Sequence, residues 1–226
     1  MSPFRQIIHG RQVQLFRTAT AKAPLLYTCL YQDDSQALLK TCQKLHTPPF
    51  HFVSLTNLSW DEDLSPWPEG QILSREDHFS GQAKPLLNSL LAEIRPWALS
   101  HLPASPAYEA IAGYSLAGLF SLYAAYQTPI FSRVASASGS LWYPGFAAYA
   151  KEQAFLQPPT AIYLSLGDRE SHTRNSYFRT NEAISRDLCH FYQHQGIVST
   201  FVLNKGNHFQ DNVLRLAKGI HWLFTH

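Results

Sequence analysis

Short apolar runs alternate with stretches of helical periodicity along most of the chain. Two β-like segments near the N-terminus, residues 6–8 and 13–16, flank Gly10 and predict a β-hairpin. Further runs of apolar and β-branched residues also predict strands, and they cover residues 24–31, 50–55, 108–114, 132–137, 161–166 and 198–203. The hydrophobic pattern therefore predicts a sheet of about eight strands.

Between the predicted strands, apolar side chains recur at helical spacing. Ser35 is predicted to cap the first helix, which includes Leu38 and Leu45 on its apolar face. Later helices are predicted near residues 86–97, 116–126, 146–155, 179–194 and 211–224. Because a parallel crossover needs a helix to return the chain, the alternation predicts an α/β fold. Its sheet is expected to be mostly parallel, with helices on both faces.

Composition agrees with one globular domain over residues 1–226, since 45% of the residues are hydrophobic and 15% are charged. This length leaves little sequence for a large cap domain. The formal net charge is +2 without a dense basic run, which argues against a nucleic-acid partner. Cys29, Cys42 and Cys189 lack the paired spacing of a zinc or redox site, so they are predicted to be buried thiols.

Targeting signals are not evident in the sequence. The first eleven residues lack the basic start and apolar stretch of a signal peptide, and no apolar run has the length needed to span a bilayer. These features predict a cytoplasmic protein without a membrane partner. Neither a metal nor a cofactor is expected.

Ser115 is the first candidate for chemistry, because it stands between a predicted strand and an apolar helix. The stretch Gly113-Tyr114-Ser115-Leu116-Ala117 is close to the G-x-S-x-G motif, which holds a nucleophilic serine on a strained strand-to-helix corner. Ala117 replaces the second glycine and adds one methyl group. The start of the helix directs the Leu116 N–H towards the reacting oxygen, so Leu116 is predicted to be an oxyanion donor. A plain helix cap is the alternative for Ser115.

A base and an acid are expected beyond later strands, because the α/β-hydrolase fold orders its triad as serine, acid, histidine. His208 is the one histidine in the loop after the final predicted strand, and an imidazole exchanges protons near neutral pH. A surface histidine in a turn is the alternative. The acid position offers both Asp168 and Glu170, and their chemistry alone does not separate them.

Together these motifs resemble a family of esterases in the α/β-hydrolase superfamily that includes the enterochelin, or ferric siderophore, esterases. The shared features span about half of the chain in the same order, and they are the Ser115 turn, residues 136–144, residues 167–170 and residues 206–208. In that family the acid usually stands three residues beyond the glycine that ends its strand. The resemblance therefore favours Glu170 over Asp168.

The resemblance also implies which residues surround the substrate. Residues 138–142 resemble the family's pocket wall, so Trp142 and the following Tyr143 are expected to pack a substrate, with core packing as the alternative. The second oxyanion donor is expected from the backbone N–H of Gln32 or Tyr31. The loop at residues 57–70, which contains Trp60, is expected to cover the site.

One departure from the family concerns charge. Siderophore esterases tend to carry an arginine in the loop that follows the second long strand, whereas this chain has Trp-Asp-Glu-Asp from Trp60. An acidic loop argues against an anionic siderophore as substrate, although a solvated helix cap is an equal interpretation.

The sequence thus predicts a serine hydrolase that cleaves a carboxylic ester through an acyl-enzyme intermediate, with Ser115, His208 and Glu170 as the triad. Small or medium acyl groups are expected because no large cap is present. Two alternatives remain. One is an acyltransferase with the same triad, and the other is a catalytically silent fold that binds a partner.

Overall fold

The computed structural model describes residues 3–72 and 78–226. Its eight strands form one sheet in the order β1-β2-β4-β3-β5-β6-β7-β8. The strands are β1 (Phe4–Ile8), β2 (Arg11–Phe16), β3 (Leu25–Cys29), β4 (His51–Thr56), β5 (Glu109–Tyr114), β6 (Phe131–Ala137), β7 (Ala161–Gly167) and β8 (Val198–Asn204). β1 and β2 pair antiparallel, as do β2 and β4, and the other pairs are parallel. The predicted mostly parallel α/β fold is confirmed.

Helices cover both faces of this sheet. They are α1 (Ser35–Lys44), α2 (Trp60–Leu64), α3 (Ala83–Ser89), α4 (Arg95–Ser100), α5 (Leu116–Gln127), α6 (Phe146–Glu152), α7 (Ser176–His194) and α8 (Asn212–Thr225). Buried residues of α1 and α8 pack in one core cluster, and buried residues of α3 to α7 pack in the other. Two layers of helix therefore enclose the sheet, as the alternating pattern requires.

The strand boundaries follow from burial. All residues of β3, β4 and β7 are buried, which explains why their sequences read as continuous apolar runs rather than as alternating ones. Each strand begins and ends within two residues of its predicted limits. The predicted hairpin is also present, since Ile8 pairs with Arg11 across the turn at Gly10.

Three local predictions need correction. Ser35 is not the cap of α1, because Asp34 occupies that position and the Ser35 hydroxyl donates instead to the Ser54 hydroxyl on β4 at 2.8 Å. The predicted loop at residues 57–70 contains the short helix α2. The helix predicted over residues 86–97 is divided by a π-helical turn, Leu90–Ile94, just before Pro96. Proline lacks an N–H, so a regular α-helical ladder cannot run through this point.

Other sequence expectations concern thiols and membrane spans. Cys29, Cys42 and Cys189 are free and buried, as predicted. Within the described ranges, no helix combines the length and the apolar character that crossing a bilayer demands.

Candidate active site

The turn at Ser115 joins β5 to α5 in a conformation that L-residues rarely adopt. Ser115 has φ 60° and ψ −125°, and its side chain makes no capping bond to α5. A Cβ at Gly113 would lie 2.1 Å from the Ala117 carbonyl oxygen, so only glycine lets the strand approach the helix this closely. The strained backbone is typical of an exposed reactive side chain and not of a plain helix cap.

His208 lies between Ser115 and an acidic side chain. It belongs to the loop between β8 and α8, and its Nε2 is 3.0 Å from the Ser115 Oγ. Its Nδ1 is 2.8 Å from Glu170 Oε2. The Tyr114 hydroxyl donates to the His208 carbonyl oxygen at 2.7 Å, and the two rings pack with centroids 5.4 Å apart. Tyr114 thus fixes both the backbone and the ring of His208.

Glu170 is almost completely enclosed, with a side chain that is 5% exposed. Its Oε1 accepts from the Gly167 N–H at 2.6 Å and from the Ser138 hydroxyl at 2.8 Å. Burial raises the pKa of this carboxyl, but the hydrogen bond and charge of His208, with the bonds from Ser138 and Gly167, hold the pKa below its ordinary value. Glu170 is therefore held as a carboxylate facing the imidazole.

Asp168, the other acid that the sequence left open, is exposed and points elsewhere. Its Oδ1 accepts from the Gly206 N–H at 2.8 Å, and its own N–H donates to the Asn204 carbonyl at 2.7 Å. Asp168 therefore ties the β7 turn to the loop that carries His208. Only Glu170 of the two contacts the imidazole.

Arg215, on α8, is a member of this site that sequence reasoning missed. It is 1% exposed, and its Nη1 donates to Glu170 Oε1 at 2.8 Å while its Nη2 donates to the Lys205 carbonyl at 2.9 Å. A Cβ at Gly167 would come within 2.8 Å of this guanidinium, so glycine makes room for it. The available signal was a charged residue beside the apolar positions Leu216 and Ala217 of an amphipathic helix.

A cavity of about 450 Å³, the nucleophile cavity, opens at Ser115. It is lined by Cys29, Leu30, Tyr31, Gln32, Asp34, Leu38, Trp60, Tyr114, Ser115, His208, Phe209, Asn212, Val213 and Leu216. Gln32 and Trp60 thus lie in the same cavity as Ser115, and the Trp60 ring meets the Tyr31 ring edge-on at 5.4 Å. Leu116 follows Ser115 directly at the start of α5.

The two aromatic residues after β6 lie outside this cavity. Trp142 lines a second cavity of about 190 Å³, the α7 cavity, together with Arg169, Glu170, Thr173, Phe178, Asn181, Asn207, His208 and Phe209. Tyr143 is fully buried, packs against Phe79 and donates its hydroxyl to the Trp67 carbonyl at 2.7 Å. The expectation that Tyr143 packs a substrate is therefore corrected, because its ring is core and its hydroxyl is already bonded.

The acidic segment after Trp60 forms part of α2. Asp63 is buried, and its Oδ1 contacts the Arg11 guanidinium at 2.6 Å while its Oδ2 accepts from the Ser59 N–H at 2.9 Å. Acidic residues in the first turn of a helix are also favoured by its dipole. At Asp63, then, the acidic character has a structural role at the start of the helix, but the side chain is buried against Arg11 and is not part of a solvated face.

Comparisons with known proteins identify the family of this chain. Residues 34–195 match the model of the family described as "Putative esterase". An uncharacterised protein of Bacillus subtilis, YbbA, is 26% identical over 175 residues, which cover 73% of this chain and 68% of that protein.

Solved structures share the fold at low sequence identity. An IroE-like serine hydrolase from Shewanella oneidensis has a TM-score of 0.78 at 17% identity, covering 99% of this chain and 80% of that one. The siderophore hydrolase EstA from Aspergillus nidulans has a TM-score of 0.74 at 19% identity, covering 99% and 94%. Since the family model spans most of the chain, the protein belongs to this esterase family.

Proposed function

We propose that this protein hydrolyses carboxylic esters through an acyl-enzyme intermediate on Ser115. The observation that carries the proposal is the continuous hydrogen-bonded chain from the Ser115 hydroxyl through His208 to Glu170. Membership of an esterase family supports the reaction class. Serine, histidine and a carboxylate in this arrangement are the parts that nucleophilic acyl transfer needs.

The first half of the reaction begins when His208 Nε2 accepts the Ser115 proton and Ser115 Oγ attacks the ester carbonyl. The carbonyl oxygen gains negative charge, which the backbone N–H groups of Leu116 and Gln32 stabilise. The C–O bond to the alcohol then breaks, and the alcohol oxygen takes the proton from His208. In the second half, water donates a proton to His208 Nε2 while its oxygen attacks the acyl carbonyl carbon. The bond from that carbon to Ser115 Oγ then breaks, His208 returns the proton to Ser115 Oγ, and the carboxylic acid leaves.

Glu170 acts through His208 in this scheme. Its carboxylate keeps the proton of the neutral imidazole on Nδ1, so that Nε2 is the acceptor, and it stabilises the imidazolium that forms. Arg215 and Ser138 hold the other carboxylate oxygen, which fixes the orientation of the pair.

The nucleophile cavity supports small or medium acyl groups. Its volume is about 450 Å³, and apolar side chains such as Leu38, Trp60 and Leu216 form much of its wall. Among the described residues that line it, Asp34 is the one aspartate, glutamate, lysine or arginine, and it is acidic. Although EstA is described as a siderophore hydrolase, the wall of this cavity favours a neutral acyl group over an anionic siderophore.

Hydrolysis of short-chain 4-nitrophenyl esters tests the proposal. Wild type is expected to turn over the acetate and butyrate esters, and Glu170→Ala is expected to lose about 10⁴-fold in kcat, as an orienting acid does in related triads. Asp168→Ala is the matched control from the same turn, and a much smaller loss is expected. A larger loss at Asp168 than at Glu170 would overturn the assignment of the acid.

A further inference from the structure

We propose that the α7 cavity binds the alcohol portion of the ester, and that this portion carries an N–H or O–H group that donates to Asn181 Oδ1. The inference rests on the proposed hydrolysis at Ser115 and narrows its substrate class. The α7 cavity lies beside the triad, because His208 and Glu170 are both part of its wall.

Asn181 on α7 supplies an acceptor that nothing in the described residues satisfies. The residue is 3% exposed, and its Nδ2 donates to the Gly139 carbonyl at 2.9 Å, which fixes the orientation of the amide. Its Oδ1 is then buried without a hydrogen-bond partner in residues 3–72 and 78–226. Native proteins leave few buried acceptors unpaired, so a donor from a ligand is the natural partner at this cavity wall.

The position of His208 shows which half of the ester belongs here. His208 returns its proton to the leaving alcohol, so the alcohol must depart on the side of the imidazole. Ser115 lines the nucleophile cavity and not the α7 cavity, whereas His208 lines both. Phe209 also lines both and is 90% exposed, so an ester can lie across it from one cavity to the other.

The walls of the α7 cavity indicate the shape of that alcohol. Trp142 and Phe178 meet edge to face with their centroids 5.1 Å apart, so the two rings form an apolar corner against which a single ring can pack. Arg215 already compensates the charge of Glu170, and Arg169 is exposed to solvent, so charge is a weak basis for selection in this cavity. The hydrogen bond to Asn181 is therefore the specific contact.

A pair of esters that differ only in the donor tests this subsite. 3-Hydroxybenzyl butyrate offers an O–H to Asn181, and 3-methylbenzyl butyrate replaces the hydroxyl with a methyl group of similar size. Wild type is expected to prefer the hydroxyl ester by about tenfold in kcat/KM, as one net hydrogen bond allows. In Asn181→Leu this ratio should fall to about one. Because the ratio is measured within each variant, a partial loss of folded protein cancels.

Val213→Ala is the matched control, since Val213 lines the nucleophile cavity and not the α7 cavity. It should keep the preference for the hydroxyl ester whatever its absolute rates. A ratio of one in wild type, or a preference that survives in Asn181→Leu, overturns the subsite. If 4-nitrophenyl butyrate is hydrolysed in those cases, the proposed ester hydrolysis is supported and only the proposed alcohol subsite is overturned. No hydrolysis of any of the three esters overturns both.

Discussion

At the scale of single residues, the most unusual feature is a buried ion pair behind the imidazole. Glu170 and Arg215 are 2.8 Å apart with side chains 5% and 1% exposed, so each charge depends on the other for compensation. The same carboxylate also accepts from Ser138 and Gly167. Arg215 is a positioning residue in this arrangement, because it holds Glu170 and does not touch the reacting atoms.

A double-mutant cycle on this pair should show strong coupling. Arg215→Met leaves the buried carboxylate without its cation and is expected to lower the free energy of unfolding by about 3–5 kcal/mol at pH 7. Glu170→Gln should be destabilising alone for the same reason, and the double variant should lose clearly less than the sum of the two. Urea unfolding measures all four proteins, and additive losses would contradict the coupling.

The coupling should also depend on pH with a definite sign. The pKa of Glu170 is lowered in the folded protein, so its stabilisation is fully present above the unfolded carboxyl pKa of about 4.3. It is lost as pH falls through the lower, folded pKa, because the pair then loses its negative partner. The interaction energy from the same cycle should therefore shrink when the unfolding is repeated at acid pH.

Sequence pattern and position were enough to propose Ser115 and His208 as site residues, because a strand-to-helix turn and the loop after the last strand are local features. The acid could not be chosen from the residues, since Asp168 and Glu170 are two positions apart in one turn. The backbone turn decides which carboxylate faces the imidazole. Arg215 contacts Glu170 across 45 residues, and no local pattern records such a contact.

At the scale of elements, the site depends on how closely β5 approaches α5. Gly113 lies against the Ala117 carbonyl, and Ser115, in the turn between these two residues, has a positive φ. The length and burial of both elements were predictable, since eleven of the twelve residues of α5 are buried and apolar positions dominate. The π-helical turn before Pro96 was not predictable from the sequence pattern. It changes the hydrogen bonding of one turn but leaves the spacing of the apolar residues nearly unchanged.

Gly113→Ala should therefore damage stability and activity together. The added Cβ would lie 2.1 Å from backbone atoms of α5, which cannot move aside as a side chain can. A loss of about 1–3 kcal/mol in the free energy of unfolding is expected from the overpacking, with a marked loss of ester hydrolysis. Gly70→Ala is the control, because a Cβ there meets nothing within 4 Å. Equal effects of the two substitutions would contradict the close approach.

At the scale of the whole molecule, one sheet gathers residues from distant parts of the chain. Ser115, Glu170 and His208 each follow the carboxyl end of a parallel strand, at β5, β7 and β8. Carboxyl ends of parallel strands meet at one edge of the sheet, which is why the strand order brings these three side chains to the same edge. This part of the site was predictable from the alternation of strands and helices, whereas the role of Tyr143 required knowledge of packing.

We propose that the chain also unfolds as one domain, since all eight strands share a single sheet. Urea unfolding followed by far-UV circular dichroism and by tryptophan fluorescence should give coincident transitions. Trp60 on α2 packs against one core cluster and Trp222 on α8 packs against the other, so the fluorescence samples both helix layers. Two separated transitions would show that the chain contains independent units.

The central claim is that Ser115 is an activated nucleophile, and a fluorophosphonate probe tests it most directly. Wild type treated with the probe should gain the mass of one covalent adduct, because His208 activates the Ser115 hydroxyl. Ser115→Ala, measured beside it by intact-protein mass spectrometry, should gain none. An unmodified wild type, or the same adduct on Ser115→Ala, would contradict the account.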